Sequence, residues 1–151
     1  MTRVNLGIPV KHLTDEHLLA EHREIKRLCD CLDKSVKCGS IKSIPDKFTL
    51  GTGHVKFFLN KMNCVYRRYV MIYLECKKRH FNVTDYSENF KNSYRIYPEY
   101  FNDYIASDDD SKIVSERIVE RIDHGKLKLY HYKGKSISKQ QAIGLLYGKK
   151  I

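Results

Sequence analysis

The sequence predicts a mainly α protein: a compact single-domain bundle of three long helices, with an irregular tyrosine-rich connection and a short C-terminal helix. Apolar residues recur at three- and four-residue steps over three separate stretches, the period of a helix with one buried face. Strand signals are scarce by comparison. A length of 151 residues suits one domain and is enough to bury a real core.

The first helix is expected to start at Thr14, an N-cap followed by Asp15 and Glu16 where the helix dipole favours acids. Leu18, His22, Ile25, Cys29, Leu32 and Val36 make its buried stripe, and Gly39 is a natural stop. The second helix is expected from about Gly53-His54 to about Phe81, with a wide stripe through Val55, Phe58, Leu59, Met62, Val65, Tyr69, Ile72 and Cys76. Its ~27 residues would span about 40 Å at 1.5 Å each, which makes it the central element. Residues 82–108 carry Tyr86, Tyr94, Tyr97, Tyr100 and Tyr104 with little periodicity, and read as an ordered connection pinned by aromatic rings. Asp108-Asp109-Asp110-Ser111 opens the third helix, in which Val114, Ile118 and Ile122 face inward and Gly125 ends the run. Ser138-Lys-Gln-Gln141 reads as a capping box for a short last helix. Residues 1–151 thus read as one domain, with 138–151 as a short helical extension.

Lys and Arg outnumber Asp and Glu by 28 to 18, a net charge of +10. That excess calls for an anionic partner, and nucleic acid leads among the candidates. Charge alone does not separate an enzyme from a basic structural DNA binder. No apolar run approaches the roughly 20 residues that span a bilayer, and the N-terminus lacks the pattern of a signal peptide. The expected setting is therefore cytoplasmic, away from membranes, and the expected assembly is a monomer. The five cysteines at 29, 31, 38, 64 and 76 are an odd number with no Cys-x-x-Cys pair. They read as reduced thiols packed as small hydrophobes, with no metal and no cofactor expected.

The start of the chain holds the chemistry. Thr2 has a small side chain, so removal of the initiator Met1 is expected to leave a free α-amine. An α-amine titrates near 8, about two units or more below a lysine, so a useful fraction is nucleophilic at neutral pH. Such amines form Schiff bases with carbonyl-like carbons. On the first helix, His17, Glu21 and Glu24 fall along one flank of the buried stripe, with Ala20 beside them, while Arg23 and Arg27 make a basic strip nearer solvent.

Four blocks in order resemble the pyrimidine dimer DNA glycosylases of the phage endonuclease V family: Thr2-Arg3-Val-Asn-Leu with His17-Leu-Leu-Ala-Glu21-His-Arg23-Glu24-Ile-Lys-Arg27, then Phe48-Thr-Leu-Gly51-Thr-Gly53-His54-Val55-Lys-Phe57-Phe58, then Glu75-Cys-Lys-Lys-Arg79-His-Phe81-Asn82, and finally Tyr130-His-Tyr132-Lys-Gly134-Lys135. They spread over roughly residues 2 to 137, and the resemblance implies that family's compact helical fold. It implies Glu24 as the catalytic glutamate beside the Thr2 amine. It implies Arg3, Arg23, Arg27, Arg117 and Arg121 as phosphate contacts and His17 as a neighbour of the DNA. For Glu21 the alternative is a structural tie to the N-terminal segment or to a nearby arginine, and for His54 it is capping or packing. The phage enzyme has a tryptophan where this chain has Leu129, so Tyr130 or Tyr132 is expected to supply stacking on the damaged base.

A mechanism follows from those groups. The Thr2 amine attacks the anomeric carbon, the base leaves, and the sugar opens to an iminium. Glu24 stabilises the developing positive charge and moves protons. The iminium then acidifies the adjacent sugar hydrogen, and β-elimination releases the 3′ phosphate. The expected substrate is double-stranded DNA carrying ultraviolet cyclobutane pyrimidine dimers, whose poor stacking lowers the cost of extruding a nucleotide. The alternatives are a lyase for abasic sites, a glycosylase for other damaged bases, or a non-catalytic basic DNA-binding protein of the same fold.

Overall fold

The helical periodicity is realised in a computed structural model that describes residues 3–151. It is mainly helical, with α1 (Asp15–Ile25), α2 (Arg27–Lys37), α3 (His54–Phe58), α4 (Met62–Lys78), α5 (Ser87–Ile96), α6 (Asp108–His124) and α7 (Lys139–Leu146). One antiparallel hairpin pairs β1 (Leu129–Tyr132) with β2 (Lys135–Ser138). Thr2 lies outside the described residues.

Helix ends fall where side chains can satisfy the free amides. Thr14 accepts from the His17 amide at the start of α1. Ser107 and Asp110 form a capping box on α6, and Ser138 and Gln141 form another on α7. Three of the expected elements need correction. The long first helix is divided at Lys26, where the Cys29 amide bonds to the Lys26 carbonyl and tightens one turn. The long second helix is divided over residues 59–61. There Lys61 donates to the Phe57 carbonyl at 3.0 Å and Asn102 donates to the Asn60 carbonyl at 3.0 Å, which satisfies the interrupted ladder. The apolar stripe runs through both interruptions, so periodicity alone did not reveal them.

The third correction is that the tyrosine-rich connection contains α5. This helix buries only Phe90 and Ser93 of its own residues, and rests on the Tyr69 hydroxyl, which donates to Asp85 and accepts from the Tyr86 amide. The hairpin was also unanticipated. Its turn places Lys133 at φ 51° and Gly134 at φ 82°, the two left-handed residues that a two-residue turn needs.

The core gathers around α4, which packs along α1. Leu18, Ile25, Leu32, Phe57, Phe58, Met62, Tyr69 and Ile72 are sealed from solvent. The N-terminal segment threads into this core: Val4, Leu6 and Ile8 are buried, and the polar Asn5 is buried with them. Cys29, Cys64 and Cys76 are packed inside as expected, whereas Cys31 is half-buried and Cys38 exposed. Among the described residues, no helix is long and apolar enough to cross a membrane.

Candidate active site

The N-terminal segment is held against α1, α3 and α4 by hydrogen bonds to three side chains. Glu21 accepts the Asn5 amide and the Asn5 side-chain amide, each at 3.0 Å. The same carboxylate takes Arg68 of α4 in a two-pronged pair at 2.9 and 3.0 Å, and Arg68 also reaches the Ile8 carbonyl at 2.5 Å. The Val4 amide donates to His54 Nε2 at 3.0 Å, while His54 Nδ1 lies 3.0 Å from the Thr49 carbonyl. An amide donor on one ring nitrogen and a carbonyl on the other fix His54 as a neutral ring protonated at Nδ1. Burial, aided by the nearby Arg117 charge, holds its pKa below the ordinary value against the Thr49 hydrogen bond and Glu21.

This anchoring places Arg3 on the wall of a cleft of about 170 Å³, lined also by His17, Ala20, Glu21, Glu24, Ile118 and Arg121. His17, Ala20, Glu21 and Glu24 recur at the three- and four-residue steps that put side chains on one helix face. Glu24 is half-buried and makes no side-chain hydrogen bond or ion pair among the described residues. Glu21 has all its acceptor capacity committed to Asn5 and Arg68, so the open carboxylate in the cleft is Glu24. A carboxylate in a small cleft beside guanidinium groups can stabilise a developing cation and exchange protons, while the arginines attract anionic oxygens.

His17 is positioned from two sides. Its Nδ1 is 2.9 Å from the Thr14 hydroxyl, and its ring stacks on Tyr130 at 5.7 Å between centroids and 20° between planes. Burial lowers its pKa from the ordinary value, with Glu16 and Glu21 opposing. The hairpin that carries Tyr130 is clipped to α1: Glu16 accepts from the His131 amide at 3.0 Å, and Asp15 accepts from the Lys133 and Gly134 amides at 3.0 and 2.9 Å.

Arg3, His17, Glu24 and Arg121 therefore meet at one cleft. Arg23 and Arg27 are exposed and outside it, on the solvent side of α1 and at the start of α2. Arg117 is half-buried and close enough to influence His54. Tyr130 is only 4% exposed, and its ring stacks on His17. The Tyr132 ring is engaged too: its hydroxyl donates to the Lys11 carbonyl at 3.0 Å, and the Arg79 guanidinium sits 4.7 Å from the ring centre. Sequence reasoning did not single out Asn5 or Arg68. Arg68 did leave a signal, since it falls on the buried stripe of α4 between Val65 and Ile72, where a charge needs a partner.

Burial pushes Cys29 up to about 12 and Cys64 and Cys76 up to about 11, so these thiols stay protonated and are poor nucleophiles at neutral pH. The constellation is that of a basic helical protein whose cleft sets one uncommitted carboxylate, Glu24, beside Arg3 and Arg121. The chain belongs to the pyrimidine dimer DNA glycosylase family, whose model matches residues 1–89, from the N-terminal segment through α4 and into α5. The matched span holds the segment around Asn5, all of α1, His54 and Arg68.

Proposed function

We propose that the protein excises cyclobutane pyrimidine dimers from double-stranded DNA and nicks the resulting abasic site, using the α-amine of Thr2 freed by loss of Met1. The observation that carries the reading is the meeting of Arg3 and Glu24 in one cleft of a chain of this family. The amine of residue 2 precedes Arg3 directly in the chain, and Arg3 lines the cleft with Glu24, so Glu24 is the acid assigned to it. The amine displaces the pyrimidine at the anomeric carbon, giving a ring-opened iminium. Glu24 stabilises the positive charge and passes protons, and the iminium then drives β-elimination of the 3′ phosphate. Arg3 and Arg121 hold phosphates at the cleft, while Arg23, Arg27 and Arg117 extend the contact along the backbone. His17 touches the DNA from the cleft wall, with Tyr130 as the ring that orients it.

The test is strand nicking of a duplex with a single cyclobutane dimer, alongside abasic and undamaged duplexes. Cleavage of the dimer and abasic duplexes only is the expected result. Cleavage of the abasic duplex alone would reduce the activity to that of a lyase, and binding without any cleavage would make the chain a non-catalytic member of its fold.

A further inference from the structure

We propose that the C-terminal extension builds a second DNA-backbone site, a lysine cleft that grips the phosphates flanking the lesion. The site is a groove of about 460 Å³ between the start of the chain, the hairpin turn and the tail, into which Lys11, His12, Lys133, Lys135, Lys149 and Lys150 are gathered. The five lysines are exposed, no acidic side chain lines the groove, and none of the five takes part in an ion pair among the described residues. The nearest acid at the turn, Asp15, is buried and committed to Arg79 and to the Lys133 and Gly134 amides.

The backbone brings these charges together by specific means. Gly148 ends α7 at φ 80°, its amide bonding to the Leu145 carbonyl at 3.0 Å, while the Lys149 amide bonds to the Gly144 carbonyl at 3.0 Å. That paired closure turns the chain sharply back. It sets Gly148 against the His12 ring, so that a Cβ there would touch the ring at 3.5 Å. The tail is thereby docked beside Lys11. Five like charges in one groove repel, and a polyanion relieves that repulsion while releasing its own counterions.

The position of the groove selects its occupant. Tyr130 backs His17 on the wall of the Arg3–Glu24 cleft, and Tyr132, two residues along the same strand, lines the lysine groove. Two residues of strand are about 7 Å, and a DNA strand carries one phosphate per 3.4 Å of helix axis. A duplex seated on the first cleft therefore runs its backbone into the second. This step rests on the proposed function, because it takes the first cleft as the lesion site.

The test compares the full-length protein with a K149Q/K150Q double variant, which keeps the aliphatic stems and the backbone turn. Binding to undamaged duplex across a salt series should show a log–log slope smaller by about two, since each lost phosphate contact removes about one. A K149R/K150R variant should restore the slope. The reduction should vanish on duplexes shortened on one side of a dimer and persist on those shortened on the other. An unchanged slope on every duplex, with dimer nicking intact, overturns the lysine groove and leaves the proposed function standing. A reduced slope in a protein that nicks no dimer keeps the groove as a DNA site and overturns the lesion site. A slope reduced equally whichever side is shortened overturns the placement beside the lesion.

Discussion

Two buried arginines, Arg68 within α4 and Arg79 at its C-terminal cap, do the same job at different places, and the contrast separates what holds the segment leading to the cleft from what holds the scaffold. They are eleven residues apart, three helical turns, and so point to the same side. Arg68 pairs with Glu21 of α1 at 2.9 Å, and Arg79 pairs with Asp15 of α1 and Glu75 of its own helix, both at 2.9 Å. All five side chains are at least nine-tenths buried. Each arginine also takes a carbonyl from the start of the chain, Ile8 for Arg68 and Val10 for Arg79. Each α1 carboxylate then accepts two N–H groups from a distant segment: Asn5 for Glu21, and the turn Lys133–Gly134 for Asp15. The first network ties down the segment that leads to the cleft, the second the hairpin that backs His17. Buried pairs of this kind add little net stability over apolar packing, yet removing one partner is costly, so their use here is to fix where remote pieces of chain sit.

The largest expected effect is on the scaffold side. Arg79→Gln leaves Asp15 and Glu75 buried without their cation and should cost about 3–5 kcal/mol in urea unfolding. Arg68→Gln should cost a similar amount by the same principle. The two are expected to part company in turnover measured at a temperature where both are folded. Arg68→Gln should lose more than tenfold in kcat, because the N-terminal segment shifts, while Arg79→Gln stays within a few-fold. Equal losses in both would break the comparison.

Glu24→Gln is next. It keeps the helix and removes a negative charge near phosphate, so duplex affinity should hold while turnover falls about a hundredfold or more. Near-normal turnover would remove Glu24 from the chemistry.

Acid should act in part through His54, beside His12, His17 and His22, which burial also holds below their ordinary value. The His54 pKa is depressed in the folded state, so the unfolded chain binds a proton that the folded chain refuses. The stability it supports is complete above its unfolded pKa of about 6.5 and is lost as pH falls through and below that value. Urea midpoints between pH 5 and 8 should fall toward acid, and His54→Gln should flatten part of that slope. An identical slope in the variant would exclude His54 as the group responsible. The smallest effect belongs to Arg121→Gln, which should lower the salt slope of binding by about one on damaged and intact duplexes alike; an unchanged slope would take Arg121 off the DNA.

How far the sequence made this legible depends on whether the signal was local. The Thr14 cap, the Ser138–Gln141 box and the apolar stripes depend on neighbours in the chain, and each is where the residues place it. The breaks at Lys26 and residues 59–61 are set by Asn102 and by tightened turns, which leave the stripe spacing untouched. Helix α5 escaped notice because most of its residues are polar and it leans on Tyr69 and Asp85. At the cleft, the helical spacing of His17, Glu21 and Glu24 was readable, and a structural tie was already an alternative for Glu21, but its partners were not. Glu21 is committed by Asn5, sixteen residues before it, and Arg68, forty-seven after it. The stacking of Tyr130 on His17 was hidden for the same reason, since the two rings are 113 residues apart in the chain and only the fold brings them together.

On the proposed function, the Glu21–Arg68–His54 anchorage serves an N-terminal amine at the Glu24 cleft. Borohydride reduction during reaction with a dimer-containing duplex, followed by peptide mapping of the covalent adduct, tests it most directly. The expected result is an adduct on the α-amine of Thr2 that disappears when Met1 is retained or the terminus is acetylated, with duplex binding nearly unchanged. An adduct that maps to a lysine side chain would contradict it.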